Sequence, residues 1–303
     1  VHALKSARVF LMSLCLLIGA TAAASEQQIK LAGLDVTLWS DAALAGERQP
    51  VLLFSHGFRG CASQSRFLME AFARAGYIVF APNHHDASCA RAARRDETGA
   101  SFRTPDAWTD AVFRDRADDL RRLRDAIAAD ARFASRADLS RIGLVGHSLG
   151  GYTVLGMAGA WPAWKLDGVR AVLALSPYSQ PFVVQHTLGG LSVPVMYQGG
   201  TRDVGITPAI HKTSGAYEQS PAPKYFVDFE GASHFAWTNL GAVARQSIVD
   251  YSVAFVDRYV KGAPPAAILT EKRAGVAVLR YATAESGGVT VEGTRDEGRA
   301  PRR

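Results

Sequence analysis

The run Arg141-Ile-Gly-Leu-Val-Gly-His-Ser-Leu-Gly-Gly151 constrains the fold more than any other part of the chain. Within it, Gly146-His147-Ser148-Leu149-Gly150 fits the pattern G-x-S-x-G. The apolar run Ile142 to Val145 leads in as a strand, and Tyr152 to Ala160 leads out as a helix. A serine on so abrupt a strand-to-helix turn stands at the end of a sheet with its hydroxyl presented outward. The glycines follow from the geometry, because the neighbouring chain passes too close for side chains at 146 and 150. A serine held this way is placed to attack an acyl carbon, provided other segments supply a base and an acid.

The rest of the chain agrees with a strand-rich centre. Val51 to Ser55, Gly76 to Pro82, Val169 to Leu175, Val195 to Gln198 and Tyr225 to Phe229 are short apolar runs bounded by turn residues. Between them lie helix-compatible stretches at Ser65 to Ala75, Ala107 to Ala131 and about Val243 to Val260. Leu120, Leu123 and Ile127 give the second of these an apolar stripe at helical spacing, with arginines and aspartates elsewhere. Near-continuous apolar strands alternating with helices predict an α/β fold, a mostly parallel sheet covered on both faces. Val36 to Trp39 is expected to open the sheet as part of an antiparallel hairpin. The 303 residues are 48% hydrophobic, enough for one core, and no linker divides it.

The two ends read differently from this core. Lys5 and Arg8, the apolar stretch Val9 to Ile18 and Ala22-Ala23-Ala24 form the pattern of a secretory signal over residues 1–24. Its apolar part is short for a bilayer span, so no stable membrane insertion is expected once it is removed. A periplasmic or extracellular location follows. The domain then occupies residues 25–284, and the Gly-, Arg- and Glu-rich residues 285–303 read as a disordered tail. In an oxidising compartment, Cys61 and Cys89 are a plausible disulfide, since both lie in loops after consecutive strands. The formal charge of +6 falls to +4 without the first 24 residues. Basic residues are scattered apart from Arg91, Arg94 and Arg95, which read as a solvated loop and not as a nucleic-acid surface.

A serine hydroxyl needs an imidazole to take its proton, and the imidazole needs a carboxylate to fix its tautomer. Asp203 follows the strand Val195 to Gln198, and His234 follows the strand ending at Phe229, in the order this topology requires. Asp228 and Glu230 are rivals for the acid, but Asp228 lies within the strand before His234. His147 is expected to pack beside the nucleophile. His84, His85 and Asp86 have metal-ligating types, yet adjacent residues point in different directions, so no metal or organic cofactor is expected. The oxyanion formed on the attacked carbonyl needs backbone donors. The N–H of Leu149, at the start of the elbow helix, and that of Phe58, in Ser55-His56-Gly57-Phe58, are the candidates.

These four segments, with Gly231-Ala-Ser-His-Phe235 around the histidine, resemble the α/β-hydrolase superfamily. Within it, the chain is similar to the secreted branch related to dienelactone hydrolases, bacterial cutinase-like polyesterases and platelet-activating-factor acetylhydrolases. The resemblance covers about residues 34–260. It implies an esterase that works through an acyl-enzyme on Ser148, His234 and Asp203, with Phe58 and Leu149 as oxyanion donors. Ser148 stands where dienelactone hydrolases proper have cysteine. Tyr178, in Ser176-Pro177-Tyr178, stands where cutinase-like enzymes have an aromatic, usually tryptophan.

Only about seventeen residues separate Ser176 from Pro194, which predicts a small or absent lid. Residues 87–105 are the other candidate wall. Phe58, Tyr178, Phe182, Phe235 and Trp237 are the candidate apolar pocket, with ordinary core packing as the competing expectation. The expected partner is a small-molecule, lipid or polymer ester. Peptidase or acyltransferase chemistry on the same triad is the alternative, and a non-catalytic binding protein on the same scaffold is a third.

Overall fold

A computed structural model describes residues 24–41, 48–89, 100–284 and 290–295. The segment read as a secretory signal lies outside these residues up to position 23, as does the cluster Arg91, Arg94 and Arg95. Ala24 already belongs to a strand.

Ten strands form one sheet in the order β1-β2-β4-β3-β5-β6-β7-β8-β9-β10. They are β1 (Ala24–Leu31), β2 (Leu34–Asp41), β3 (Gln49–Ser55), β4 (Ile78–Pro82), β5 (Ala137–His147), β6 (Val169–Leu175), β7 (Val195–Gly200), β8 (Lys224–Phe229), β9 (Val276–Ala284) and β10 (Thr290–Arg295). The six central strands, from β4 to β8 in sheet order, run parallel. The hairpin β1–β2 flanks them on one side and β9–β10 on the other, all in antiparallel pairing. The expected hairpin around Val36 to Trp39 is therefore present.

Helices cover both faces. Side chains alternate across a strand, so β3 sends Val51 and Leu53 to one face and Leu52 and Phe54 to the other. The first face packs α2 (Arg114–Ala129) through Leu120, Leu123 and Ile127, and α3 (Leu149–Leu155) through Tyr152. The second packs α1 (Arg66–Arg74) through Leu68 and Phe72, with Ile248 and Phe255 of the last long helix, Arg245–Val256.

Several boundaries differ from the pattern-based reading. The helix expected over 107–131 is regular only from Arg114 to Ala129. Residues 105–107 form a separate short turn behind Pro105, and Phe113 enters α2 with a left-handed φ of 57°. The stripe in α2 is as expected, but Arg116 and Asp119 are buried as well, contrary to the expectation that charged residues cover the exposed side. The terminal helix ends at Val256 and continues as a wider turn over 257–261. β9 had no counterpart in the sequence reading. In the segment expected to be a disordered tail, residues 290–295 pair with β9 as β10; residues 285–289 and 296–303 lie outside the described residues.

The register of the parallel strands positions the site. Ser55 of β3 lies beside Gly146 of β5, which lies beside Ala174 of β6. Next in line, His147 pairs with Leu175 and Leu175 with Gln198 of β7. The loops after β3, β5, β6, β7 and β8 thus leave one edge of the sheet close together, where ligands of such sheets bind.

Candidate active site

Ser148 sits between β5 and α3 with φ 54° and ψ −117°, a conformation costly for any residue but glycine. Its N–H bonds to the Leu175 carbonyl at 3.0 Å, anchoring the turn to β6. A Cβ at position 146 would come within 2.2 Å of the Gly150 carbonyl oxygen, and one at 150 within 2.0 Å of the Ser55 carbonyl oxygen. Both glycines are therefore sterically required, as the motif suggested.

Three strand-end loops bring the expected triad together. His234 Nε2 lies 3.0 Å from Ser148 Oγ. On the other side of the ring, His234 Nδ1 is 3.3 Å from Asp203 Oδ2. Asp203 is buried, while the His234 side chain keeps 27% of its surface exposed. The loop Gly199 to Asp203 closes with Asp203 N–H on the Gly200 carbonyl at 2.9 Å, and Thr207, first residue of the short helix Thr207–His211, accepts the Gly200 N–H. The rival acid Asp228 is buried nearby in β8, its Oδ1 without a hydrogen bond. Burial, reinforced by the Asp203 charge, pushes its carboxyl up to about 6. Glu230 is exposed.

A fourth residue joins this group. Ser176 is buried at the end of β6, its hydroxyl donating to Asp203 Oδ2 and lying 2.8 Å from His234 Nδ1. Sequence reading gave it no role.

The neighbours of Ser148 form a second polar layer. His147 is buried, as expected, and its Nε2–H donates to the His234 carbonyl at 2.9 Å. Its Nδ1 accepts from Gln64 Nε2 at 3.0 Å, while Gln64 Oε1 takes the Gly57 N–H at 3.1 Å. Gln64 thereby ties the loop after β3 to His147, which in turn holds the His234 loop. Desolvation, then the neighbouring His234 charge, lowers His147 to about 3, so it stays a neutral strut.

Beneath the loop after β3, fully buried Arg116 pairs with Asp86 at 2.9 Å and donates to the carbonyls of His56 at 2.7 Å and Gly57 at 3.2 Å. Asp86 accepts the Arg59 N–H at 3.0 Å. The backbone on both sides of Phe58 is therefore braced by one ion pair. His84 joins the layer between Ser55 and Asp119, at 3.0 and 2.9 Å, and His85 faces Asp115. The three residues considered for a metal thus point to three different partners. Among the described residues, no group of three or more His, Cys, Asp or Glu is arranged to hold a metal.

Phe58 N–H makes no hydrogen bond among the described residues. Leu149 is the first residue of α3, where a backbone N–H has no acceptor within the helix.

A cleft of about 510 Å³ opens over Ser148, lined by Phe58, Arg59, Gln64, His147, Phe235 and Leu240 among others. Phe58 and Phe235, two of the candidate pocket residues, line this cleft and are 36% and 54% exposed. The other three candidate pocket residues do not line it. Trp237 is buried behind His147, its Nε1–H on Gln198 at 2.8 Å. Phe182 stacks on Tyr152 in the core. Tyr178 is buried next to the elbow, with its N–H on the Ser148 carbonyl at 2.9 Å and its hydroxyl on the Phe102 carbonyl at 2.8 Å. Bulk decides this: large apolar rings gain most where they are fully enclosed. Phe102, from the expected wall at 87–105, packs between Phe58 and Tyr178. Cys61 and Cys89 form the disulfide that ties this side to the loop after β3.

The sheet order, the elbow and its strand-end loops define an α/β-hydrolase fold. Residues 97–264 match the family described as PET hydrolase-like, and residues 26–126 match platelet-activating factor acetylhydrolase, isoform II. The first match covers more than half of the chain, which belongs to the PET hydrolase-like family. Cutinase est2 of Thermobifida alba is 27% identical over 213 residues, 69% of this chain and 59% of that relative. Cutinase 2 of Thermobifida cellulosilytica is 26% identical over 210 residues, covering 68% and 66%, respectively. Cutinase cut1 of Thermobifida fusca is 26% identical over 210 residues, covering 68% and 54%. The aligned region therefore spans less than two thirds of each relative's own length. No helix among the described residues is long and apolar enough to cross a membrane.

Proposed function

We propose that this protein is a secreted serine hydrolase that cleaves carboxylic esters through an acyl-enzyme. The contact of 3.0 Å between His234 Nε2 and Ser148 Oγ carries the reading. His234 takes the hydroxyl proton as Ser148 Oγ attacks the ester carbonyl. The tetrahedral oxyanion is held by the N–H groups of Phe58 and Leu149. His234 then returns the proton to the departing alcohol. Water, deprotonated by the same ring, releases the acid and restores Ser148. Asp203 keeps the ring oriented and stabilises its charge.

The apolar rim formed by Phe58, Phe235 and strongly exposed Leu240 favours an ester with an apolar body, whether small molecule, lipid or polymer. Similarity to proteins named cutinases supports the ester as substrate. The N-terminal signal pattern and the Cys61–Cys89 disulfide support export to the periplasm or beyond.

A fluorophosphonate probe is expected to label the folded wild type at Ser148. Ser148→Ala is expected to lose turnover of p-nitrophenyl esters by roughly 10⁴-fold or more while keeping its melting temperature. Wild-type turnover in Ser148→Ala would remove the assignment.

A further inference from the structure

Resting on the ester-hydrolase reading, we infer that Ser176 is a positioning residue of the triad: its hydroxyl links Asp203 to His234 and fixes which ring nitrogen faces Ser148. A carboxylate accepts hydrogen bonds and does not donate them. The Ser176 hydrogen is therefore directed to Asp203 Oδ2, and Ser176 Oγ is left to accept from His234 Nδ1, 2.8 Å away. The direct contact between Nδ1 and Asp203 Oδ2 is longer, at 3.3 Å. Nδ1 thus carries the hydrogen, and Nε2 presents its lone pair to Ser148 Oγ at 3.0 Å. When Nε2 takes the Ser148 proton, Nδ1 keeps its own, and the imidazolium faces Asp203 chiefly through the Ser176 oxygen. Ser176 neither gains nor loses an atom.

The backbone supplies an independent argument. Ser176 has φ 42°, a left-handed value rare for any residue but glycine. The conformation is held on every side. Ser176 N–H bonds to the Gln198 carbonyl at 2.8 Å, while the residues before and after the Ser176-Pro177 pair, Leu175 and Tyr178, bond to Ser148 at 3.0 and 2.9 Å. Glycine would meet this requirement without strain. A serine there is strained for the sake of its hydroxyl, which is the group that meets both triad members.

The test uses Ser176→Gly, which removes the hydroxyl and relieves the backbone, alongside Ser176→Ala. Both are expected to lose about tenfold to a hundredfold in kcat on p-nitrophenyl acetate with KM little changed, the range for a hydrogen bond to a charged group. In the Asp203→Asn background, Ser176→Gly is expected to cost less than about threefold more, because residues that act through one another are not additive. The downfield proton resonance of His234 Nδ1–H is expected to move upfield in Ser176→Gly, and this readout needs no turnover. Wild-type kcat in Ser176→Gly, a loss fully additive with Asp203→Asn, or an unmoved Nδ1–H resonance would each overturn the inference. So would a slow Ser176→Ala beside a fast Ser176→Gly, which would assign the effect to backbone strain. Failure of the parent reading looks different: the wild type would leave esters intact and Ser148 unlabelled, and the Nδ1–H resonance would then decide the role of Ser176 alone.

Discussion

Arg116 lies at the centre of the polar layer beneath the oxyanion loop, its guanidinium shared between Asp86 and the carbonyls of His56 and Gly57. Arg116, first among the charges, helps hold the Asp86 carboxyl well below the usual carboxylate range against the opposing effect of burial. Removing one partner from such a pair strands the other charge in the interior, which costs about 3–5 kcal/mol. Asp86→Asn is therefore expected to lower unfolding free energy by about that amount in urea titrations. The double variant Asp86→Leu/Arg116→Met is expected to regain part of the stability, because no charge is left buried. Its ester turnover should stay low, since His56 and Gly57 lose the donors that hold Phe58 in place. Full recovery of both properties would show that the pair does not brace the oxyanion loop. The convergence of Ser148, His234 and Asp203 was legible because each sits in a short motif at a strand end. The contacts of Arg116, Asp86, Gln64 and Ser176 were not, because each has a partner 27 to 83 positions away, at distances no local pattern encodes.

At the scale of elements, the segment from Ser55 to Cys89 holds the loop after β3, α1 and β4, and the Cys61–Cys89 disulfide joins its end back to that loop. The bridge spans 28 residues, a loop for which chain-entropy arguments give about 3–4 kcal/mol of stabilisation. Cys61→Ser/Cys89→Ser is expected to lose about 2–4 kcal/mol. Ester turnover at temperatures where the variant stays folded should fall much less, since Arg116 and Gln64 hold the Phe58 backbone independently. A variant as stable as the wild type would show that the bridge adds nothing to the fold. Elements were legible where one periodicity ran from end to end, as in β3, β5, β6, β7, β8 and α1. They were misread where tertiary contacts overrode local pattern. Phe113 takes a left-handed turn to join the aromatic cluster of Phe58, Phe102 and Trp108, and so shortens α2. β9 opens on the apolar run Val276-Ala277-Val278-Leu279, too short to fix its partner by itself, and takes its place by antiparallel pairing with β8.

Across the whole molecule, buried titratable groups gather at the carboxyl edge of the sheet and make folding depend on pH in two directions. His147, His56 and His84 are all lowered, chiefly by desolvation. Their unfolded forms bind protons first, so the stability of the neutral rings is present above about pH 6.5 and is lost as pH falls below it. His147 alone, lowered to about 3, accounts for about 2 kcal/mol at pH 5. Asp228 acts in the opposite sense. Its folded value of about 6 lies above the unfolded 3.8, so the native state binds the proton first and stability falls as pH rises between the two. Above pH 6 the buried carboxylate costs about 3 kcal/mol. Asp228→Asn removes that charge and leaves every other group in place, so the difference from wild type isolates this one site. The variant is expected to be more stable than wild type by up to about 3 kcal/mol at pH 8, with the advantage shrinking through pH 6 and vanishing near pH 4, where both side chains are neutral. Urea unfolding of the two proteins at those three pH values measures it. An advantage that stays constant across the series would show that packing or a new hydrogen bond, and not the buried charge of Asp228, sets the difference.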